Sequence, residues 1–572
     1  MLRSARWWAA TLAVVVALAG CATVPTSGPV QHHTPDASGV DTGVRVDPLP
    51  PADGASQLLV VEGFLHAMGV YQPDYAVARQ YLTPAASAAW RPESGVQVYS
   101  DLYPPSESDQ TVVLNAPLTG TIDPSGRYEP ASGQLRHDFG LVKDSADQWR
   151  ISKPPDGLLV SRYLFTTSFV AANLHFTDSG GSVLAPDPRF FASGEQALAA
   201  AVRAQLAGPS AWLQPAVRRL DTTAITVGAL ALDSFGVLDV PLGRAAEALT
   251  LEQRRMVLAE LAYTMTGFSQ VNAVRVVGAG QVWRTDTGDT EVNRDAFGDL
   301  SAANVNAPRA LYLFRDGELQ RSRNPSTWSD FDTVDVALSK VDGFAVRGDL
   351  QEVAAVTSGG SRLEVAVLGG GKSRVRRSGG DLLRPDYARN GELWSATTAG
   401  PRTLKVYRGD ASVAVDASGL PDRPLVAARL SPDGTRLALV LRRGEGTEVG
   451  LALVERRGES QDIVVSGWRR LDVTVAAGVP AGTAVDLGWV SEVELAVLQT
   501  GMAGDTSVVR VRQDGAAAAD IGPSDAPALT QLAVVPGRPA GVLAAGGAAY
   551  RFDNEFNWSL SITGVDALAY SG

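Results

Sequence analysis

Residues 430–438 read Leu-Ser-Pro-Asp-Gly-Thr-Arg-Leu-Ala, and this stretch shows most clearly how the second half of the chain folds. Asp433-Gly434 favours a tight turn, because glycine accepts backbone angles that most other residues avoid. The apolar residues from Leu437 onward suit a strand that follows the turn. The stretch therefore predicts two antiparallel strands joined by a short connection.

Similar segments recur along the C-terminal part of the chain. Each has a first strand, a Gly or Asp turn, an apolar strand and a third β-rich strand. They lie at 344–368, 387–407, 430–454, 488–511 and 532–552, so their starts are spaced by 43, 43, 58 and 44 residues. A period of this length is typical of the blades of a β-propeller.

The two ends of this region are expected to close the ring. Residues 309–319 would supply strands of a first blade, and residues 565–570 its missing inner strand. The five full segments, together with this first blade built from both ends of the region, predict an all-β propeller of six blades within residues 306–572. Five or seven blades are the alternatives.

The region before the propeller alternates strands and helices. Strands are expected at 170–176 and, after the turn at 178–181, at 183–184, with further β segments at 224–230 and 236–241 and a strand at 273–277. Ser193 with Gln196, and Thr250 with Gln253, have the spacing of capping boxes that begin helices. The first helix is expected to stop at Gly208 and the second at Gly267.

Four stretches in this order resemble the GerMN domain of extracytoplasmic proteins from Gram-positive bacteria. They read LHFTDSGGSVLAPDPR, AVRAQLAGPS, GVLDVPLG and LAELAYTMTGFSQVNAVRVVGAG, and the likeness spans residues 159–283. We assign residues 159–300 to this GerMN-like domain. The resemblance implies partner or ligand binding, and it transfers no active residue.

Residues 56–155 are expected to form a small α+β domain. Leu58, Val61, Phe64, Leu65 and Met68 share one helical face. Further helices are expected after Asp74 and from the Thr83-Pro84 cap, followed by strands at 96–99, 111–114, 118–122, 135–142 and 149–151. This order resembles the NTF2-like domains.

The N-terminus has the layout of a secretion signal. Arg3 and Arg6 precede an uncharged run from Trp7 to Gly20, which would span only about 20 Å as a helix, less than the hydrocarbon core of a bilayer. Leu18-Ala19-Gly20-Cys21 contains the single cysteine of the chain and resembles the bacterial lipobox. The resemblance implies a signal peptide at residues 1–20, cleavage between Gly20 and Cys21, and a Cys21 that carries S-diacylglycerol and N-palmitoyl groups. An ordinary secretory peptide is the alternative.

Residues 21–55 are expected to be a flexible tether. This stretch is rich in proline and glycine and almost lacks a periodic apolar pattern. As a flexible coil it would have a root-mean-square reach of about 30 Å. The folded part would then stand away from the lipid.

Charge and motif content exclude several classes of function. A formal net charge of −12 disfavours nucleic acid as a partner. The glycine run at 368–373 lacks the spacing of a phosphate loop, so a hairpin turn is the better interpretation. His66, His137 and His175 are scattered singly, and a satisfied structural imidazole is expected for His66 and His175. We therefore predict no catalytic residue, metal ligand or cofactor-binding residue.

The combination of lipobox, tether, two α+β domains and propeller resembles the actinobacterial LpqB lipoprotein family. The resemblance implies a non-enzymatic, lipid-anchored protein on the extracytoplasmic face of the cell membrane. Its expected partner is the extracytoplasmic domain of an MtrB-like sensor histidine kinase of the MtrA-MtrB two-component system, with effects on envelope homeostasis and cell division. Two alternatives stay open. They are a receptor for a small envelope or cell-wall ligand, marked by a deep apolar pocket between the N-terminal domains, and a glycan-active propeller enzyme, marked by carboxylates at the propeller mouth.

Overall fold

The computed structural model describes residues 47–572 apart from 109–110, 195, 303–308, 459, 476–481, 502–503, 524–525, 527 and 555–556. The predicted signal peptide, Cys21, the Gly20–Cys21 cleavage site and most of the predicted tether lie outside the described residues. Helices and strands are numbered along the described chain.

The first domain packs three short helices against a sheet. The helices are α1 Gln57–Gly69, α2 Ala76–Gln80 and α3 Pro84–Ala89. The strands are β1 Val96–Tyr99, β2 Ser106–Ser108, β3 Thr111–Ile122, β4 Tyr128–Pro130, β5 Gln134–Asp138, β6 Leu141–Lys143, β7 Trp149–Ile151 and β8 Leu158–Ser161. The main sheet has the order β2-β3-β1-β8, and β6 and β7 form a separate pair.

The predicted Thr83 cap and the apolar face of this domain are confirmed. The Thr83 hydroxyl accepts a hydrogen bond from the Ala86 amide at the start of α3, with Pro84 as the first helical residue. Phe64 on α1 is fully buried and packs against the rings of Tyr81, Trp90 and Phe139. Residues 111–122, predicted as two strands, form one, and residues 135–142, predicted as one, are divided between β5 and β6.

The second domain places three helices beside a hairpin and a small mixed sheet. Its elements are α4 Arg162–Ser168, β9 Phe169–Thr177, β10 Leu184–Ala192, α5 Gln196–Ala207, β11 Ala231–Leu232, β12 Val237–Leu242, α6 Leu251–Met265, β13 Ala273–Gly278 and β14 Gln281–Val282. β9 and β10 pair antiparallel, and the sheet order is β11-β12-β13-β14 with β12 parallel to β13. Helices α5 and α6 share one apolar core with both sheets.

Two strand predictions in this domain are wrong in extent. The short strand expected at 183–184 is the nine-residue β10, which contains Pro186 and Pro188. These prolines are two positions apart, so their missing N–H groups face one side, and a two-stranded hairpin tolerates this on its open edge. Residues 224–230 form only a single bridge, between Val227 and Leu242.

Of the two predicted capping boxes, one is confirmed and the other is wrong. At α6 the prediction is confirmed, because the Thr250 hydroxyl accepts from the Gln253 amide and the Gln253 side chain accepts from the Thr250 amide. Helix α5 is described from Gln196, and Gly194 has a φ of 126°, which is not helical, so Gln196 is not the third helical position after Ser193. The Gln196 side chain instead donates to the Ser193 carbonyl oxygen at 2.9 Å.

The C-terminal half is a β-propeller. Among the described residues it forms six consecutive sheets, and each has at least four strands. In chain order the strands are β15 Leu311–Arg315, β16 Glu318–Asn324, β17 Ser329–Val334, β18 Val341–Val346, β19 Glu352–Thr357, β20 Arg362–Val367, β21 Arg374–Ser378, β22 Asp386–Tyr387, β23 Leu393–Thr397, β24 Gly400–Arg408, β25 Ala411–Val413, β26 Val415–Asp416, β27 Leu425–Leu430, β28 Arg436–Arg443, β29 Gly446–Arg457, β30 Asp462–Arg470, β31 Thr483–Trp489, β32 Glu494–Thr500, β33 Thr506–Arg512, β34 Ala518–Asp520, β35 Leu529–Ala533, β36 Gly541–Ala544, β37 Ala549–Asn554, β38 Asn557–Ile562 and β39 Ala567–Tyr570.

The innermost strands contact one another in a ring, from β39 through β18, β22, β27, β31 and β35 back to β39. The last strand closes the ring as predicted, because β39 pairs antiparallel with β15 in the first sheet. The turn at Asp433-Gly434 is also confirmed, with Gly434 at a φ of 71° and its amide donating to the Ser431 carbonyl at 2.8 Å.

Each blade has a fourth, outer strand that the repeat pattern did not reveal. Strand β21 is arginine-rich, and β25 and β34 have three residues each. Outer strands carry less apolar periodicity because one edge faces solvent. The repeat was therefore detected through its inner strands alone.

Candidate functional site

Side chains at the centre of the propeller connect three of the inner strands to the next blade. The Asp386 carboxylate accepts from the Leu430 amide at 2.8 Å, and the Asp486 carboxylate accepts from the Leu532 amide at 2.9 Å. The Gln531 side chain accepts from the Leu568 amide at 3.0 Å in the closing strand. These bonds satisfy backbone donors that would otherwise be buried without partners.

Two arginines complete this central network. Arg429 donates to the Asp486 carboxylate at 3.1 Å, and Arg384 lies 3.4 Å from the same carboxylate. Burial lowers the pKa of Arg384 to about 10 and raises the pKa of Asp386. Because both carboxylates accept backbone hydrogen bonds and lie near the charges of Arg384 and Arg429, we assign this cluster a structural role in joining the blades.

A second cluster joins the GerMN-like domain to the propeller at the Asp433-Gly434 turn. Arg436 is 1% exposed and forms an ion pair with the fully buried side chain of Asp433. It also donates to the Pro186 carbonyl of β10 at 2.8 Å and to the Gln513 side chain at 2.7 Å, and its guanidinium lies 5.6 Å from the Trp489 ring centre. One guanidinium thus links one domain to two blades.

The electrostatics of this cluster favour the charged state of Asp433. Burial acts to raise its pKa, but the Arg436 charge and hydrogen bonds from Thr435 hold the pKa of Asp433 below its ordinary value. A buried carboxylate of this kind depends on its partner, since an unpaired buried charge is costly.

A neighbouring contact uses His175 of β9. Its Nε2 lies 3.4 Å from the Glu492 carboxylate of the propeller, and its ring packs edge-on against Tyr263. Burial acts to raise the pKa of Glu492, yet the hydrogen bond and charge of His175 lower it. The expected structural imidazole is satisfied at Nε2 alone, because Nδ1 of His175 has no hydrogen-bond partner among the described residues.

Further contacts fill the junction between the domains. The Trp212 indole donates to the Gly467 carbonyl at 2.7 Å, and the Arg469 guanidinium lies 4.6 Å above the indole ring. Arg162 at the start of α4 donates to the Ala516 carbonyl of the propeller. The cavity left between these elements measures about 20 Å³, which holds about one water molecule. The deep apolar pocket expected of a ligand receptor was placed between the two N-terminal domains, and this junction cavity, which the propeller also lines, is too small to be such a pocket.

The first domain carries an exposed apolar loop at residues 101–105, and Tyr163 lies beside it. We call this surface the 101–105 patch with Tyr163. Leu102 is 76% exposed, Tyr103 46% and Tyr163 61%. The Asp101 carboxylate accepts from the Tyr163 amide at 3.0 Å, so the loop is fixed to the start of α4. This bond brings the exposed apolar side chains of the loop next to Tyr163 on α4.

The predicted anchor residue, Cys21, lies outside the described residues, so the structure does not place it. Within the described ranges, no cluster of three or more His, Cys, Asp or Glu residues is arranged to hold a metal ion. Over the same ranges, none of the helices has the length and apolar character needed to cross a bilayer.

Sequence reasoning missed the junction cluster, although the Asp433-Gly434 turn within it was predicted. Arg436 stands directly before the apolar strand residues Leu437-Ala438. A buried arginine almost always has a partner, but the sequence alone does not show that Arg436 is buried. The partner on β10, however, lies 250 residues away.

Three family models match the chain. Residues 50–166 match "Lipoprotein LpqB, N-terminal domain", residues 173–282 match the model described as "Sporulation and spore germination", and residues 317–567 match "Lipoprotein LpqB beta-propeller domain". These matches follow the two α+β domains and the propeller along the chain.

Bacterial relatives cover most of the chain. Lipoprotein LpqB of Cutibacterium acnes is 30% identical over 97% of this chain and 98% of its own length. Lipoprotein LpqB of Streptomyces coelicolor is 29% identical over 77% of this chain and 78% of its own.

Among solved structures, TolB from Acinetobacter baumannii covers 53% of this chain and 84% of its own, with 14% identity and a TM-score of 0.31. A chain of the nidogen/laminin complex covers 46% of this chain and 98% of its own, with 12% identity and a TM-score of 0.34. Scores this low support no functional comparison.

Fold and comparisons together define the class: a multi-domain bacterial lipoprotein with two N-terminal α+β domains, the second of GerMN type, and a C-terminal β-propeller. The extent of the Cutibacterium match then decides the family. The chain belongs to the LpqB lipoprotein family.

Proposed function

We propose that this protein is a lipid-anchored accessory of an MtrA-MtrB-type two-component system. In this proposal Cys21 carries the diacylglycerol and palmitoyl groups after cleavage behind Gly20, and the folded part lies on the extracytoplasmic face of the cell membrane. It acts by binding the extracytoplasmic domain of the MtrB-like sensor kinase rather than by catalysis, and so influences envelope homeostasis and cell division.

The observation that carries the binding role is the 101–105 patch with Tyr163. It lies on the domain that follows the tether directly, so chain connectivity keeps it near the proposed anchor. A tether of about 30 Å reach raises the effective concentration toward neighbouring ectodomains to about the millimolar range. A modest apolar contact would then be occupied.

The buried junction supports the same role. The described residues belong to one compact unit, and Arg436, His175 and Trp212 hold the GerMN-like domain against the propeller. A protein built this way presents a fixed composite surface to a partner. The polar clusters around Asp486 and Arg436 form contacts within the protein.

The anchor is tested by mass spectrometry of the mature N-terminus. We expect a peptide that begins at a lipid-modified Cys21, and none in a Cys21→Ser variant. A mature chain that begins at an unmodified residue would overturn the lipid anchor.

The partner is tested by titration of residues 22–572 with the sensor's extracytoplasmic domain, up to millimolar concentration. Leu102→Asp should weaken the contact by about tenfold or more, because it places a charge in the apolar patch. Leu251→Asp is the matched control, since Leu251 is 83% exposed at the start of α6, away from this loop. Absence of binding, together with absence of the sensor among proteins cross-linked in intact cells, would overturn the signalling role.

A further inference from the structure

An arginine-lined cavity lies at one end of the fourth blade. It measures about 730 Å³, is open to solvent, and is lined by Arg423, Arg442, Arg443, Arg470, Glu448 and Pro424 among others. This volume falls within the usual range of small-ligand sites. We call it the blade-4 cavity.

All four main strands of the blade deliver residues to this place. Arg423 precedes β27, Arg442 and Arg443 end β28, Glu448 lies on β29, and Arg470 ends β30. Because neighbouring strands run antiparallel, residues that are distant in sequence meet at the same end of the sheet.

The backbone under the cavity is fixed by hydrogen bonds. The Arg442 amide donates to the Pro424 carbonyl at 2.8 Å, and Arg470 pairs with Gly450 in the β29–β30 ladder. Guanidinium groups on a rigid frame lose less freedom when they bind a ligand.

The charges in the cavity are unbalanced. Glu448 is 8% exposed and accepts one hydrogen bond at 3.2 Å from each of Arg423 and Arg443, which orients both side chains. Within the described residues, Arg442 and Arg470 form no ion pair. The lining thus contains four guanidinium groups and one carboxylate, although the whole chain has a formal net charge of −12. A local excess of positive charge in an acidic protein attracts anions specifically to that place.

The blade-4 cavity also lies apart from the junction between the GerMN-like domain and the propeller. Arg436 begins β28 at the GerMN-like domain and Arg443 ends the same strand, so the two ends are about 24 Å apart at 3.4 Å per residue. An occupant of the cavity would leave the junction contacts intact.

We propose that the blade-4 cavity binds a ligand through its phosphoryl oxyanions. Arginine is the side chain best suited to this chemistry, because its planar fork donates two parallel hydrogen bonds to a phosphate. A local excess of about three positive charges suits a phosphate monoester or diphosphate better than a single carboxylate. The phosphate would belong either to a free small molecule or to a lipid headgroup.

The test is calorimetric titration of the full chain in detergent with inorganic pyrophosphate and, separately, with glycerol 3-phosphate as the headgroup probe. We expect saturable binding of at least one probe. Arg442→Gln and Arg470→Gln should each weaken it by about tenfold, the cost of about one charge-assisted hydrogen bond. Both side chains are exposed and lack ion-pair partners within the described residues, so these variants should fold.

Arg244→Gln is the matched control, because it removes the same charge from a side chain that is 93% exposed in the GerMN-like domain. It should leave binding unchanged. Tighter binding of pyrophosphate identifies a free phosphorylated molecule as the source, and tighter binding of glycerol 3-phosphate identifies a headgroup. Absence of saturation by both probes, or an equal loss in the Arg244 variant, would overturn the proposal.

Discussion

Replacement of Arg436 by methionine should destabilise the junction strongly. The variant keeps most of the side-chain volume but removes the guanidinium that pairs with Asp433 and donates to the Pro186 carbonyl and the Gln513 side chain. The Asp433 side chain would then be a fully buried charge without its cation. Loss of one partner from such a pair costs about 3 to 5 kcal/mol of the free energy of unfolding.

The pH dependence of the loss separates this cause from a simple packing defect. In the parent chain the pKa of Asp433 is held low, so its contribution to stability is present at neutral pH and is lost as the pH falls through that pKa. Without Arg436, burial would dominate and raise the pKa of Asp433. The variant should therefore recover stability as the pH is lowered from 7 toward the ordinary pKa of an aspartate.

The measurement is urea denaturation at neutral and mildly acidic pH, followed by tryptophan fluorescence, since Trp489 lies beside Arg436. The double variant Asp433→Asn/Arg436→Met should recover more than half of the loss, because it removes the orphaned charge. A loss below about 1 kcal/mol in the single variant, or no recovery in the double variant, would refute this account of the junction.

Three further outcomes follow from single elements. Burial raises the pKa of Glu260 from 4.5 to about 7, so between these pH values the folded chain keeps a proton that the unfolded chain has lost. The free energy of unfolding should therefore fall by about 3 kcal/mol as the pH rises across this interval. Glu260→Gln should flatten the pH profile of Tm. An unchanged slope would show that Glu260 does not titrate there. Thr250→Ala should cost about 1 kcal/mol by removing the cap of α6, whereas Thr250→Ser should retain stability; equal Tm values for both variants would contradict the capping role. Deletion of residues after Gly564 removes β39 and exposes two sheet edges, so cooperative unfolding should be lost or the chain should aggregate, and unchanged melting would show that β39 does not close the ring.

Features that depend on neighbouring residues could be predicted from the sequence. The Asp433-Gly434 turn, the Thr83 cap and the Thr250 capping box involve groups within a few residues of one another, so their geometry follows from local chemistry. The propeller was visible for a related reason, because each blade repeats the same apolar and turn pattern at nearly constant spacing. The closing strand could be inferred because one segment lacked an inner strand and the C-terminus supplied one.

Features that depend on distant residues were decided only by the tertiary structure. The length of β10 was underestimated because its prolines disfavour a strand locally, while pairing with β9 stabilises it. Arg436 needed an acceptor 250 residues away to be recognised as a junction residue. The arginines of the blade-4 cavity come from different strands of one sheet and are separated by up to 47 positions, between Arg423 and Arg470. Periodicity along the chain reports which face of a strand is apolar, but only the packing of strands brings charges together at one end of a blade.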